Sequence, residues 1–184
     1  MKKIFLVLVC ALFTLSACWN NQVSNTSYNQ FDTEGYTKFT SSGLLSIEYP
    51  ETWVLEEDFM WTIFVIQSPL EVDDTFSENI NFLTQNIWDM GATDIEEYID
   101  INLSQIEIYL SDFQLLSKED TNISGIDGQK LSYTFKQWQL DIFTEQHFIA
   151  VNDIAYIFTV TRPQDNPNAF NEEFENILNS IEIL

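Results

Sequence analysis

The stretch that decides the fold runs from Gln129 to Thr161 and reads QKLSYTFKQWQLDIFTEQHFIAVNDIAYIFTVT. Leu131-Ser132-Tyr133-Thr134-Phe135 and Tyr156-Ile157-Phe158-Thr159-Val160 alternate with the period of two that a strand requires. Between them Leu140 to Val151 reads as a third strand, and Asn152-Asp153 has the residue types of a tight turn. Three strands are therefore expected, over 129–136, 140–151 and 154–161. Connections this short join neighbours only when they run antiparallel.

Working outward toward the N-terminus, Ser124-Gly125-Ile126-Asp127-Gly128 is a turn, preceded by the segment 115–120. Before that, Thr93 with Glu96 three residues on is a capping-box pattern, and Asp94, Glu96 and Glu97 suit the positive end of a helix dipole. Ile95, Ile99, Leu103, Ile106, Leu110 and Phe113 recur at steps of three or four, widened by Tyr98, Ile101 and Ile108, so the helix is expected to continue to Phe113. Asn79 to Trp88 reads as a strand with Ile80 and Phe82 inward, and the apolar run from Met60 to Gln67 as a buried strand. Phe39 and Leu44 to Tyr49 flank a Ser41-Ser42-Gly43 turn, and Pro50 stops that hairpin. Toward the C-terminus, Asn166 before Pro167 predicts a second helix start, with Phe170, Phe174, Ile177, Leu178 and Ile181 as its buried stripe. The order of elements gives an α+β domain: a mostly antiparallel sheet, one mid-chain helix and one C-terminal helix.

That order resembles the PsbP-like α/β/α sandwich family, which includes small bacterial lipoproteins. Leu45-Ser46-Ile47-Glu48-Tyr49-Pro50 followed by Trp53 is similar to its opening strand and corner. Glu78-Asn79-Ile80-Asn81-Phe82 is similar to its acid-Asn-apolar strand, and Gly125-Ile126-Asp127-Gly128 with Tyr133 to its glycine turn. Ala155-Tyr156-Ile157-Phe158-Thr159 and the closing Phe174 to Ile181 resemble its last strand and helix. The resemblance spans residues 37–184 and implies an α/β/α sandwich around a mostly antiparallel central sheet. It also implies a protein-binding role, since one member assists photosystem II and another binds a small GTPase in nuclear transport. Fold alone does not fix function.

Residues 1–17 read as a signal peptide. Lys2 and Lys3 precede an eleven-residue uncharged run from Ile4 to Thr14, too short for the roughly 20 residues that span a bilayer. Leu15-Ser16-Ala17-Cys18 resembles the bacterial lipobox, in which the chain is cut before the cysteine and the thiol takes a diacylglyceryl group. Cys18 is thus expected to be a lipid attachment point; the alternative is an ordinary secretory peptide cut nearby. Two acyl chains make a stable anchor where one does not. The expected location is the cell envelope, lipid-anchored to a bacterial membrane. Cys10 lies in the removed segment, so the mature chain is expected to hold no disulfide and no thiolate site. Residues 18–36, rich in Asn, Gln, Ser and Thr, read as a tether reaching about 60 Å when fully extended.

The chain carries 7 basic and 29 acidic residues, a net charge of −22. Such a charge repels nucleic acid and anionic headgroups, leaving the lipid on Cys18 as the membrane contact and a protein as the expected partner. Among groups that could do chemistry, His147 lies in the strand sequence Glu145-Gln146-His147-Phe148, with no Gly-x-Ser-x-Gly elbow to serve it. No cofactor is expected, with calcium as the one candidate. Glu71, Asp73 and Asp74 could offer it oxygen ligands but lack EF-hand spacing, so the loop also reads as simply solvated. Trp53, Trp61 and Trp88 are expected in the core. Trp138, where two strands meet, is expected partly exposed, either as a protein contact or as a cover for the sheet edge. The expected function is a membrane-tethered, non-enzymatic binding or accessory module. The alternative is a calcium-dependent or carboxylate-only hydrolase, since two acids suffice for glycoside hydrolysis.

Overall fold

The computed structural model describes residues 35–70 and 76–184. Cys18 and Glu71, Asp73 and Asp74 lie outside the described residues. Ten strands and two helices follow in the order β1 (Tyr36–Ser41), β2 (Leu45–Pro50), β3 (Val54–Glu57), β4 (Phe64–Gln67), β5 (Asn79–Asn86), α1 (Ile95–Tyr109), β6 (Ser111–Ile123), β7 (Ile126–Gln137), β8 (Leu140–Val151), β9 (Ile154–Pro163), α2 (Asn171–Asn179) and β10 (Glu182–Ile183). A 3₁₀ helix, Ile87–Met90, follows β5. Every strand pairing is antiparallel, in two sheets: β1-β2-β10 and β3-β4-β5-β9-β8-β7-β6. The α+β reading holds, and the structure adds a small second sheet closed by the C-terminal strand.

Alternation along the strands divides the large sheet into two faces. On one, Phe64, Ile66, Ile80, Phe82, Ile149, Tyr156, Phe158 and Val160 pack against Leu45, Ile47 and Tyr49 of the small sheet and Phe174 and Ile177 of α2. Trp53 is buried there, edge-on to Phe170 and Phe174 at 5.4 and 5.1 Å. Ser180 fastens the end of α2 to β2, accepting from the Glu48 backbone N–H at 2.8 Å. On the other face, Tyr98, Ile99 and Ile106 of α1 pack on Leu131, Tyr133, Phe135, Ile142, Phe148 and Ile157. The sheet is therefore sandwiched between α1 on one side and α2 with the small sheet on the other.

Helix α1 starts one residue later than its capping-box reading. Asp94 is the N-cap, accepting from the Glu97 backbone N–H at 2.9 Å, and the Glu97 carboxylate reaches back to the Thr93 N–H and hydroxyl. The helix ends at Tyr109 rather than Phe113, because Leu110 is already extended, with ψ 130°. Phe113 meets the same core from β6, its ring 5.4 Å from Tyr133. Helix α2 begins at Asn171 and not beside Pro167; residues 166–170 form turns instead. Arg162 explains the delay: its Nε donates to the Ala169 carbonyl at 3.1 Å and its guanidinium to Asn171 Oδ1 at 3.3 Å, holding that segment off helical geometry. The expected strand over Met60 to Gln67 shrinks to Phe64–Gln67.

Glycine is required at one position by contact alone. A Cβ on Gly128 would stand 2.0 Å from the Phe148 carbonyl oxygen of the neighbouring strand.

Candidate functional site

Register places the Gln137–Leu140 turn, the start of β6 and the end of β9 at one end of the large sheet. There β6 begins irregularly: pairing with β7 slips between Ser111 and Gln114, and Asp112 takes a left-handed φ of 54°. A bulge of this kind re-aims side chains at a strand end. After β9, the Gln164 backbone N–H donates to the Asp141 carbonyl at 2.9 Å and ties the following turn to the start of β8. These segments surround a cleft of about 650 Å³ lined by Asp112, Phe113, Gln114, Thr134, Phe135, Asp141, Gln164 and Asp165. Thr134 and Phe135 are its buried members, while the three aspartates and both glutamines are exposed.

Trp138 stands at the tip of the β7–β8 hairpin whose strands supply Thr134, Phe135 and Asp141 to that cleft. It is 74% exposed and holds a φ of 54°. A bulky side chain in left-handed backbone is uncommon and costs energy, so the tip is held against local preference. The core expectation is corrected for two other tryptophans. Trp61 is 91% exposed in the β3–β4 loop, and Trp88 is exposed in the 3₁₀ helix, which turns Ile87 rather than Trp88 toward the α1 core.

His147 is buried on the α2 side of β8, with its Nδ1 3.2 Å from the Thr121 hydroxyl. Burial pushes its pKa down to about 4, with the Glu145 charge opposing and Lys130 and Arg162 adding to the fall. Beside it runs a partly buried ion network: Arg162, 2% exposed, donates to the Glu145 carboxylate at 2.6 Å, which also meets Lys130 at 3.4 Å. Burial works to raise the Glu145 pKa, but Arg162 and Lys130 outweigh it and hold the carboxyl below its ordinary value. The Arg162 guanidinium also lies over the Phe174 ring at 4.8 Å. Its contacts to Ala169, Asn171 and Phe174 join α2 and the turn before it to the sheet, so it positions the helix.

The cleft residues escaped the sequence reading because they come from β6, β7, β8 and the turn after β9 and share no local spacing. Only Trp138, flanked by two glutamines between two apolar strands, gave any signal at this end of the sheet.

The α+β sandwich, an antiparallel sheet between two helices, is a PsbP-like fold. The DcrB family profile matches residues 62–180, and the chain belongs to the DcrB family. Solved structures share the fold at low identity. LpqN of Mycobacterium tuberculosis, involved in cell envelope biogenesis, is 12% identical with a TM-score of 0.57, over 80% of this chain and 90% of that one. The cyanobacterial PsbP of Synechocystis is 15% identical with a TM-score of 0.52, over 92% and 99%. The Ran-binding protein Mog1p of Saccharomyces cerevisiae is 11% identical with a TM-score of 0.55, over 85% and 96%. No curated protein matches the chain in sequence.

Proposed function

We propose that this protein is an exported, lipid-anchored module of the bacterial envelope that works by binding another protein rather than by catalysis. The anchor is Cys18, and residues 18–36 let the domain search for its partner. The contact surface is the end of the large sheet that carries Trp138. One observation carries the reading: a tryptophan 74% exposed at a hairpin tip, in a backbone conformation that disfavours it. Aromatic anchors of this kind supply much of the binding energy at protein interfaces. The shared fold supports it further, since Mog1p is a Ran-binding protein and LpqN belongs to envelope biogenesis.

The test has two parts. A Cys18→Ser chain should leave the membrane fraction; if it still sediments with membranes, the anchor is misassigned. A photo-crosslinking residue placed at Trp138 should trap one discrete protein in intact cells. The same residue at Asn122, at the opposite end of the sheet, should not. Equal or absent crosslinking at the two positions removes Trp138 as the contact.

A further inference from the structure

We infer that the polar rows buried between α1 and the large sheet bind a small neutral polyol, such as a single sugar unit. Five side chains carry the inference: Gln67, Asn79, Asn81, Thr144 and Thr161, each more than nine-tenths buried. Yet Gln67 Nε2, Asn79 Oδ1, Asn81 Nδ2 and both threonine hydroxyls make no hydrogen bond within the described residues. Register sets Gln67 beside Asn79, Asn79 beside Thr161 and Thr161 beside Thr144, with Asn81 further along β5 on the same face. Asn102 of α1 adds a sixth atom of this kind: its Nδ2 donates to the Tyr98 hydroxyl at 3.3 Å, while its Oδ1 has no partner among the described residues. Buried polar atoms left unpaired are costly and few in a native fold, so their concentration on one side of one sheet points to a ligand.

The unpaired atoms set the chemistry of that ligand. Gln67 Nε2 needs an acceptor and Asn79 Oδ1, on the paired residue, needs a donor, but the two do not bond each other. A hydroxyl seated between them does both, accepting from the first and donating to the second. The opposed Thr161 and Thr144 hydroxyls, also unbonded to each other, take a second such group. The ligand is neutral because its surroundings are. In a chain of net charge −22, this face of β4, β5, β8 and β9 carries no charged side chain, and neither do the residues that α1 buries. A charged group there would have no counter-ion to offset its desolvation. Phe148 and Tyr133 flank the rows, Tyr133 directly beside Thr144, and offer apolar faces to the C–H groups of a sugar. One ligand with several hydroxyls gives up its translational freedom once, whereas separate waters give it up one by one.

The unpaired atoms are shut off from solvent, so α1 must shift to admit the ligand. Its polar ties to the sheet include Tyr98 to Gln85 at 2.7 Å and the exposed Lys118–Asp100 pair at 2.9 Å. This inference goes beyond the proposed function and depends on neither Cys18 nor Trp138. The full-length chain is titrated with D-glucose, with N-acetyl-D-glucosamine and with D-glucuronate while backbone and side-chain amide signals are followed. The expected result is a saturable shift confined to Gln67, Asn79, Asn81, Thr144, Thr161 and their neighbours with one or both neutral sugars. Glucuronate should give none, because its carboxylate is costly to bury. Thr161→Val keeps the side-chain shape, so without sugar its unfolding midpoint should be unchanged or raised, while sugar binding weakens about tenfold. Kept stability with lost binding separates a ligand contact from a packing role. No saturable shift with either sugar would mean that the rows hold ordered water only, and would overturn the site. Equal binding of glucuronate, shifts scattered over the surface, or undiminished binding by Thr161→Val would overturn it too.

Discussion

On the α2 face of the large sheet, Phe82 meets Phe64, Tyr156 and Phe158 at centroid distances between 4.8 and 5.6 Å. On the α1 face, the same strands carry Gln67, Asn79, Asn81, Thr159 and Thr161, buried just as deeply. Register sets them in two lateral rows, Gln67-Asn79-Thr161-Thr144 and Asn81-Thr159-Gln146. Part of this lattice is satisfied: Gln146 donates to Thr159 at 3.1 Å, and Tyr98 donates to Gln85 at 2.7 Å. Five atoms are not: Gln67 Nε2, Asn79 Oδ1, Asn81 Nδ2, Thr144 Oγ1 and Thr161 Oγ1 make no hydrogen bond within the described residues. Ring burial is non-directional and rewards any close fit, whereas an amide or hydroxyl repays burial only when a partner lies in line. On these central strands, therefore, the α2 side is held by ring packing, while the polar rows on the α1 side contribute only as far as their geometry allows; further along, that face has its own apolar cluster beneath α1.

The largest effect should come from the aromatic face. Phe158→Ala removes a ring stacked on Phe82 and fully out of water, and should cost about 3–5 kcal/mol in urea unfolding. A loss below about 1 kcal/mol would mean that the ring cluster contributes no more than the polar rows behind it. A smaller effect sits where the α2 side turns polar, at His147. The unfolded chain titrates there near pH 6.5, while burial holds the folded imidazole down to about 4. Between those values the unfolded chain binds a proton that the folded chain does not. Stability should be complete above about pH 6.5 and fall by up to about 3 kcal/mol toward pH 4. His147→Gln should flatten that limb, as read from unfolding midpoints across the range, and a wild-type slope in the variant would remove His147 as its cause. The smallest effect belongs to the α1 face. Thr161→Val deletes a buried hydroxyl with no partner and keeps its shape, so stability should be unchanged or rise by about 1 kcal/mol. A loss above about 1 kcal/mol would show that an ordered water satisfies the row.

The strands around the central hairpins were readable because their signals are local. Asn152 and Asp153 both take left-handed φ, at 49° and 64°, as a two-residue hairpin turn demands. The helix ends were harder to read for particular reasons. Apolar spacing runs on from Ile106 through Leu110 to Phe113, yet the backbone turns extended at Leu110 and delivers Phe113 to the same core from a strand. Asn166-Pro167 carries a start signal that Arg162, buried and bonded to Ala169 and Asn171, overrides. The run at Met60-Trp61 has the composition of a core strand, but three left-handed residues, Asp58, Met60 and Trp61, turn it into an exposed loop.

By itself, the sequence determined the antiparallel hairpins, the capped mid-chain helix and the inward residues Ile80, Phe82, Phe174 and Ile177. Alternation, turn chemistry and capping act within a few residues of chain. Only the tertiary structure decided which tryptophans face solvent, that the C-terminal strand closes a second sheet, and that Asp112, Thr134, Asp141 and Asp165 share one cleft. Exposure and convergence depend on which distant segments cover a surface, and no local period records that.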